Sequence, residues 1–217
     1  VIVPSDFNLW TVPRIWPGET VVITACGPSL TAEQVADHSE DCRMIAISDS
    51  YKLNPKAHIL YSCDARWWQW HKNALDFRGV RIGLAWNKNI NDWNPGWKDH
   101  DRSNIFCLAG TGETGLESDP QGLRTGGNSG YQAINLAVHL GAKRIILLGY
   151  DMQPDPAGRH HFFGDHPGDI PPPPYDLFIE PFRSLVDPLK ELKIDVINCT
   201  PSSALDCFPA AKLEEAV

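Results

Sequence analysis

The stretch HHFFGDHP, residues 160–167, places three histidines and an aspartate within eight residues. Imidazole titrates near neutral pH, so a loop of this kind suits general acid or base work when it folds over a binding site. Zinc binding is the rival chemistry. It needs three or four convergent ligands, and His160, His161, Asp165 and His166 offer neither a helical i, i+4 pair nor a cysteine partner. A solvated polar loop is the third reading, because loops gather polar residues with or without function.

Two glycine-rich stretches point to anion chemistry. ACGPSL, residues 25–30, stands between an apolar run and the helical segment TAEQVADH. Gly27 there would let a ligand approach the backbone, and Ser29 with the following amides would hold a phosphate. The alternative is a plain strand-to-helix turn capped by Ser29 or Thr31. RTGGNSGYQAINLAVHLGAKRIILLGYD, residues 124–151, leads a glycine-rich turn into a helix and then into a strand ending at Asp151. Asn128, Ser129 and the helix amides would face an anion, with Arg124 adding a fixed positive charge. A reading in which Ser129 only caps the helix and Asp151 only anchors a loop leaves Arg124 and the paired glycines unexplained. GTGETG, residues 110–115, matches the dinucleotide fingerprint in form, but LESDPQG follows where an amphipathic helix is required. The match is therefore read as accidental, and a glycine-rich hairpin or mobile loop is expected.

Asp49, Asp64 and Asp151 each stand where a predicted strand ends. If those strands are neighbours the carboxylates converge, and two of them would hold Mg²⁺ or a ribose. Aspartates also cap helices and close turns. In RWWQWH, residues 66–71, Trp67 and Trp68 would stack on a base or sugar or pack a helix onto a sheet, and core packing is expected of at least two of the three tryptophans. His71 has no evident role.

The elements that must position these residues are short apolar runs: TVVITAC (20–26), RMIAIS (43–48), AHILYSC (57–63), RIGLAW (81–86), NIFCLA (104–109), RIILLGY (144–150) and DVINCT (195–200). They are continuous rather than alternating, which suits parallel strands buried on both faces. The spacing of Ile134, Ala137 and Val138 predicts a helix over 129–140 that Gly141 ends, and a second helix is expected over about 180–192. Stretches 86–124 and 153–176 are long and rich in Trp, Asn, Gly, Pro and His, so one or both should cover the site. The predicted fold is a single Rossmann-like α/β domain over residues 1–217. It is a three-layer sandwich with a mainly parallel sheet, two long loops over its carboxyl edge, and ligands bound there.

With 217 residues and 42% apolar content the chain fits one well-buried core. A net charge of −8 argues against a broad surface for duplex nucleic acid. No run of eighteen apolar residues occurs, and VIVPSDFNLW lacks the regions of a signal peptide, so a cytoplasmic protein without a membrane span is expected. Six dispersed cysteines without a CxxC pair read as reduced, mostly buried thiols.

VVITACGPSL, RTGGNSGYQAINLAVHLGAKRIILLGYDM, the later histidine motif and IDVINCTPSSAL, in this order, resemble the bacterial sialyltransferase-like glycosyltransferases. They are also similar to the related family that includes archaeal 6-hydroxymethyl-dihydropterin pyrophosphokinases. The compact length and the HFFGDHP motif look most like the short members that phage genomes carry. The resemblance covers about two thirds of the chain.

It implies a nucleotide-activated donor held by Gly27, Pro28 and Ser29, with Arg124, Asn128, Ser129 and Gly130 on the donor's phosphate or sugar carboxylate. It implies His166 as general base, with His161 as second choice, and His160 is expected to be exposed. Ala25-Cys26 stands where those glycosyltransferases usually have Gly-Asn, and Gln153 stands where a phosphate-supporting tyrosine is expected. The function expected first is glycosyl transfer to an acceptor hydroxyl on a glycan, lipid-linked sugar or nucleobase. The alternatives are Mg²⁺-dependent diphosphate transfer from ATP to a hydroxymethyl-pterin-like molecule, with Asp49, Asp64 and Asp151 on the metal, and a non-catalytic nucleotide-binding protein.

Overall fold

The computed structural model describes residues 9–36, 42–87, 92–93, 102–167 and 170–217. The end of the predicted helical segment 31–38 and parts of both long loops lie outside the described residues. Every predicted apolar run forms a strand. In chain order these are β1 (Thr20–Thr24), β2 (Arg43–Ile47), β3 (Ile59–Ser62), β4 (Val80–Asn87), a short β5 (Asp92–Trp93), β6 (Phe106–Gly112), β7 (Gly122–Arg124), β8 (Arg144–Leu148) and β9 (Asp195–Asn198). The helices are α1 (Ala32–Ala36), α2 (Ala65–Trp70), α3 (Ser129–Leu140), α4 (Tyr175–Arg183), α5 (Val186–Glu191) and α6 (Leu213–Ala216).

The strands form one sheet in the order β7-β6-β4-β3-β2-β1-β8-β9, parallel throughout, with β5 added antiparallel to β4. Alternate residues of each strand feed opposite faces, as the pleat requires. Val21, Ile23, Ile45 and Tyr61 pack with Ile134 and Leu136 of α3, Phe182 of α4 and Leu189 of α5. Val22, Met44, Leu60 and Leu148 pack on the other side with Val35, Trp67, Trp68 and Ala216. Each such aliphatic side chain contributes about 1.5–3 kcal/mol on burial. The central strands are therefore the rigid base from which the carboxyl-end loops project. This is the predicted three-layer, Rossmann-like α/β fold. Among the described residues no helix is long and apolar enough to cross a membrane.

Two elements differ from expectation. The helix expected over about 180–192 begins at Tyr175, immediately after Pro174, and breaks after Arg183. Pro188 explains the break, because a proline ring collides with the carbonyl four residues earlier, here that of Ser184. Within stretch 86–124, β6 continues through Gly112 and pairs with β7 in parallel rather than as a hairpin. The first three residues of GTGETG are thus strand, and no phosphate-binding turn forms there.

The chain runs outward from β1 to β7 on one side of β1 and then returns to β8 on the other. The carboxyl ends of β1 and β8 therefore flank a topological switch point, where open α/β sheets leave a crevice.

Candidate functional site

The loops after β1 and β8 are sewn together across that switch point. Ala25 N–H donates to Leu148 O at 2.8 Å and Gly27 N–H to Gly149 O at 2.9 Å. Ser29 gives both its N–H and its hydroxyl to the Asp151 carboxylate, at 3.1 and 2.9 Å. A Cβ on Gly27 would lie 1.9 Å from Asp151 Oδ2 and 2.4 Å from Gly149 O. Glycine is needed here because the protein's own carboxylate occupies the space that a ligand had been expected to enter. Burial raises the Asp151 pKa above the usual carboxylate value, and the two bonds from Ser29 oppose that rise. The start of α1 is closed by a reciprocal pair, Thr31 N–H to Gln34 Oε1 at 3.0 Å and Gln34 N–H to Thr31 Oγ1 at 3.3 Å. Thr31, not Ser29, caps α1, and Ser29 is committed to Asp151.

A cleft of about 760 Å³ opens beside this strut, within the range of small-molecule sites. Its floor is the first turn of α3. Asn128 caps that helix, accepting Tyr131 N–H at 2.9 Å and donating through Nδ2 to Gly126 O at 2.9 Å. Ser129 Oγ accepts Cys63 N–H and donates to Cys63 Sγ, both at 3.1 Å, which locks the start of α3 to the end of β3. Tyr150 OH donates to Gly130 O at 3.0 Å. Gly27, Asn128, Ser129, Gly130, Asp64 and Asp151 all line the cleft, whereas Pro28 and Ser29 do not. The α3 amides present a partial positive charge to this space, the ordinary setting for a phosphate.

Arg124 is placed elsewhere. It lies on edge strand β7 over Gly112, with Nε 3.5 Å from Glu117 Oε2, and is not among the residues lining the cleft. The three aspartates do not all meet: Asp64 and Asp151 line the cleft, and Asp49 does not. Asp49 is buried, with Lys52 Nζ at 2.5 Å, Trp67 Nε1 at 2.7 Å and His71 Nε2 at 3.5 Å. Asp64 caps α2 and is gripped by the Arg66 guanidinium, Nη2 lying 2.6 Å from Oδ2. With Asp151 held by Ser29, each carboxylate is neutralised or bonded separately. Among the described residues no three His, Cys, Asp or Glu side chains are grouped closely enough to hold a metal ion. Asp49, Asp64 and Asp151 therefore do not form one three-carboxylate metal site.

The loop after β8 forms the roof. Phe162 N–H donates to Cys26 O at 3.2 Å, and Ala204 N–H ties Asp151 O at 2.8 Å. His161 stacks on Phe163 with ring centroids 5.0 Å apart and meets His166 edge to face at 4.8 Å. Burial, with His166 and His160 adding repulsion, lowers the His161 pKa to about 4. Burial also lowers that of His166, opposed by Asp49 and Asp64. Both rings are held neutral at pH 7, the form that accepts a proton. His166 Nδ1 is buried without a hydrogen-bond partner among the described residues.

His160 is not exposed as expected. It lines the cleft, with Nδ1 3.2 Å from Tyr175 OH. In the other long stretch, residues 113–121 pack instead on α3 through Asn135 and Tyr131, and none of the described residues of 86–124 lines the cleft.

Cys26, Arg66, Trp70 and Tyr175 are among the lining residues that were not anticipated as site residues. Burial pushes the Cys26 thiol up to about 12, and its Sγ–H donates to Ile47 O, so it is an inert wall. Arg66 and Trp70 were detectable in principle, since they sit four apart on the helix that opens at Asp64. Tyr175 had no local signal beyond following the four prolines. Trp67 and Trp68 are buried, as core packing requires. No protein-family model matches this chain, and no curated protein matches it.

Proposed function

We propose that the protein is a transferase that binds a nucleotide-activated donor in the cleft between β1 and β8 and moves its glycosyl group to an acceptor hydroxyl. The observation that carries this reading is the convergence of the first turn of α3 with His161 and His166 on one cleft at the sheet's switch point. The α3 amides and the Ser129 region would receive the donor phosphate. His166 would take the acceptor proton as the acceptor oxygen bonds to the anomeric carbon. The bond from that carbon to the phosphate oxygen breaks, and its electron pair leaves on the nucleotide, where the helix amides stabilise the charge. His161, the weaker base of the two, would shape the roof. The dispersal of Asp49, Asp64 and Asp151 favours this chemistry over Mg²⁺-dependent diphosphate transfer.

The test is a thermal-shift panel of nucleoside phosphates and nucleotide sugars, run in EDTA and in Mg²⁺. A ligand at one hundred times its Kd stabilises the native state by about 2.7 kcal/mol. For a chain of this length that is a rise of about 5–10 °C. A nucleotide sugar that stabilises in EDTA supports the proposal; stabilisation by ATP with Mg²⁺ alone would replace it with diphosphate transfer.

A further inference from the structure

We propose that Arg66 is the residue by which the cleft recognises an anionic group of its substrate, a phosphoryl or carboxylate oxygen, through the Nη1 edge of its guanidinium. This rests on the reading of the cleft as a substrate site, and it names the cation that Arg124 had been expected to supply. Among the described residues lining the cleft, Arg66 is the one lysine or arginine.

Its geometry is that of a side chain held ready. Nε lies 3.1 Å from both Asp64 oxygens and Nη2 lies 2.6 Å from Oδ2, so Asp64 takes one edge of the fork and leaves Nη1 outside it. Trp70, four residues along the same helix, places its ring 5.8 Å from the guanidinium carbon. The Arg66 side chain is nevertheless 58% exposed and lines the cleft, so the guanidinium is accessible to a ligand there. Fixing a long side chain on binding costs conformational entropy, and here the carboxylate and the indole already hold it. The start of α3 is adjacent, because Ser129 bonds Cys63, the residue before Asp64. An anion between them meets helix amides on one side and a planar, bidentate-capable fork on the other. Asp64, expected to touch ligand or metal, is on this geometry a positioning residue.

The same contact reaches the base. The Trp70 ring also lies 6.2 Å from the His166 ring. Burial lowers the His166 pKa and the charges of Arg66 and Lys52 lower it further, against Asp49 and Asp64. An anion seated on Arg66 cancels one of the lowering charges and moves His166 toward its ordinary basicity.

The test uses inorganic pyrophosphate with the full chain. Calorimetric titration is expected to give saturable binding to the wild type, at least about tenfold weaker binding to Arg66→Ala, and partial recovery in Arg66→Lys, which restores the charge without the fork. Proton NMR of His166 is expected to show a pKa that rises on adding pyrophosphate to the wild type and stays put in Arg66→Ala. Equal affinity in wild type and Arg66→Ala, no saturable binding to the wild type, or an unmoved His166 pKa would each overturn the proposal. Failure of the transferase reading is separate: it would appear as no donor turnover with pyrophosphate binding and its Arg66 dependence intact.

Discussion

Gly27→Ala separates a glycine kept for a ligand from one kept for the Ser29–Asp151 strut. The added methyl would sit 1.9 Å from Asp151 Oδ2 and 2.4 Å from Gly149 O, one a side chain and one backbone. Overpacking of this kind costs about 1–3 kcal/mol. Asp151 must also swing away from Ser29, losing charge-assisted hydrogen bonds that contribute about 1.5–3 kcal/mol each. A combined loss of about 3 kcal/mol or more is expected, which lowers Tm by about 6–12 °C in a chain of this size. Ser29→Ala removes one of the two bonds without adding bulk, so its loss should be about half as large. In an Asp151→Ala background the same Gly27→Ala change should cost less than in the wild type, because one of the two collisions is gone. Thermal melts of these variants decide the matter. A Gly27→Ala protein that melts with the wild type yet no longer binds nucleotide would refute the strut and return Gly27 to the ligand.

Three further outcomes follow from the same geometry. The His161 pKa is lowered from 6.5 to about 4, so the folded state prefers the neutral ring; its contribution to stability is present above pH 6.5 and is lost as the pH falls toward 4. Melts across that window should fall more steeply for the wild type than for His161→Gln, and parallel curves would contradict the burial of this ring. Arg124→Ala should leave nucleotide affinity within about twofold of wild type while lowering stability by about 1 kcal/mol through loss of the partly buried Glu117 pair; a tenfold loss of affinity would bring Arg124 back to the site. Asp49→Ala strands the buried Trp67 N–H and should cost about 3 kcal/mol in a urea melt without altering any Mg²⁺ response.

The fold was legible where local physics decides it. Continuous aliphatic runs such as Val21–Ile23 and Ile145–Leu148 are buried on both faces. Asn128 and Gly141 bracket α3 because one accepts a first-turn amide and the other adopts φ 104°. The site was legible only in part. The turn before α3 and the histidine loop do meet in one cleft, but which partner each charged residue takes is not displayed by the sequence. Ser29 finds Asp151 at a separation of 122 residues. Arg124 and Asp49 instead find close partners, Glu117 and Lys52, that remove them from the cleft. A strand-end aspartate looks the same in sequence whether it faces a ligand, a serine or a lysine.

The central claim is tested most directly by turnover of a stabilising nucleotide sugar, with an acceptor, by wild type and His166→Ala, with donor Kd measured for both. Removal of a general base lowers kcat by about 10²–10⁴. The expected result is a loss in that range with donor Kd little changed. Turnover by His166→Ala at the wild-type rate, or binding lost in proportion to rate, would contradict it.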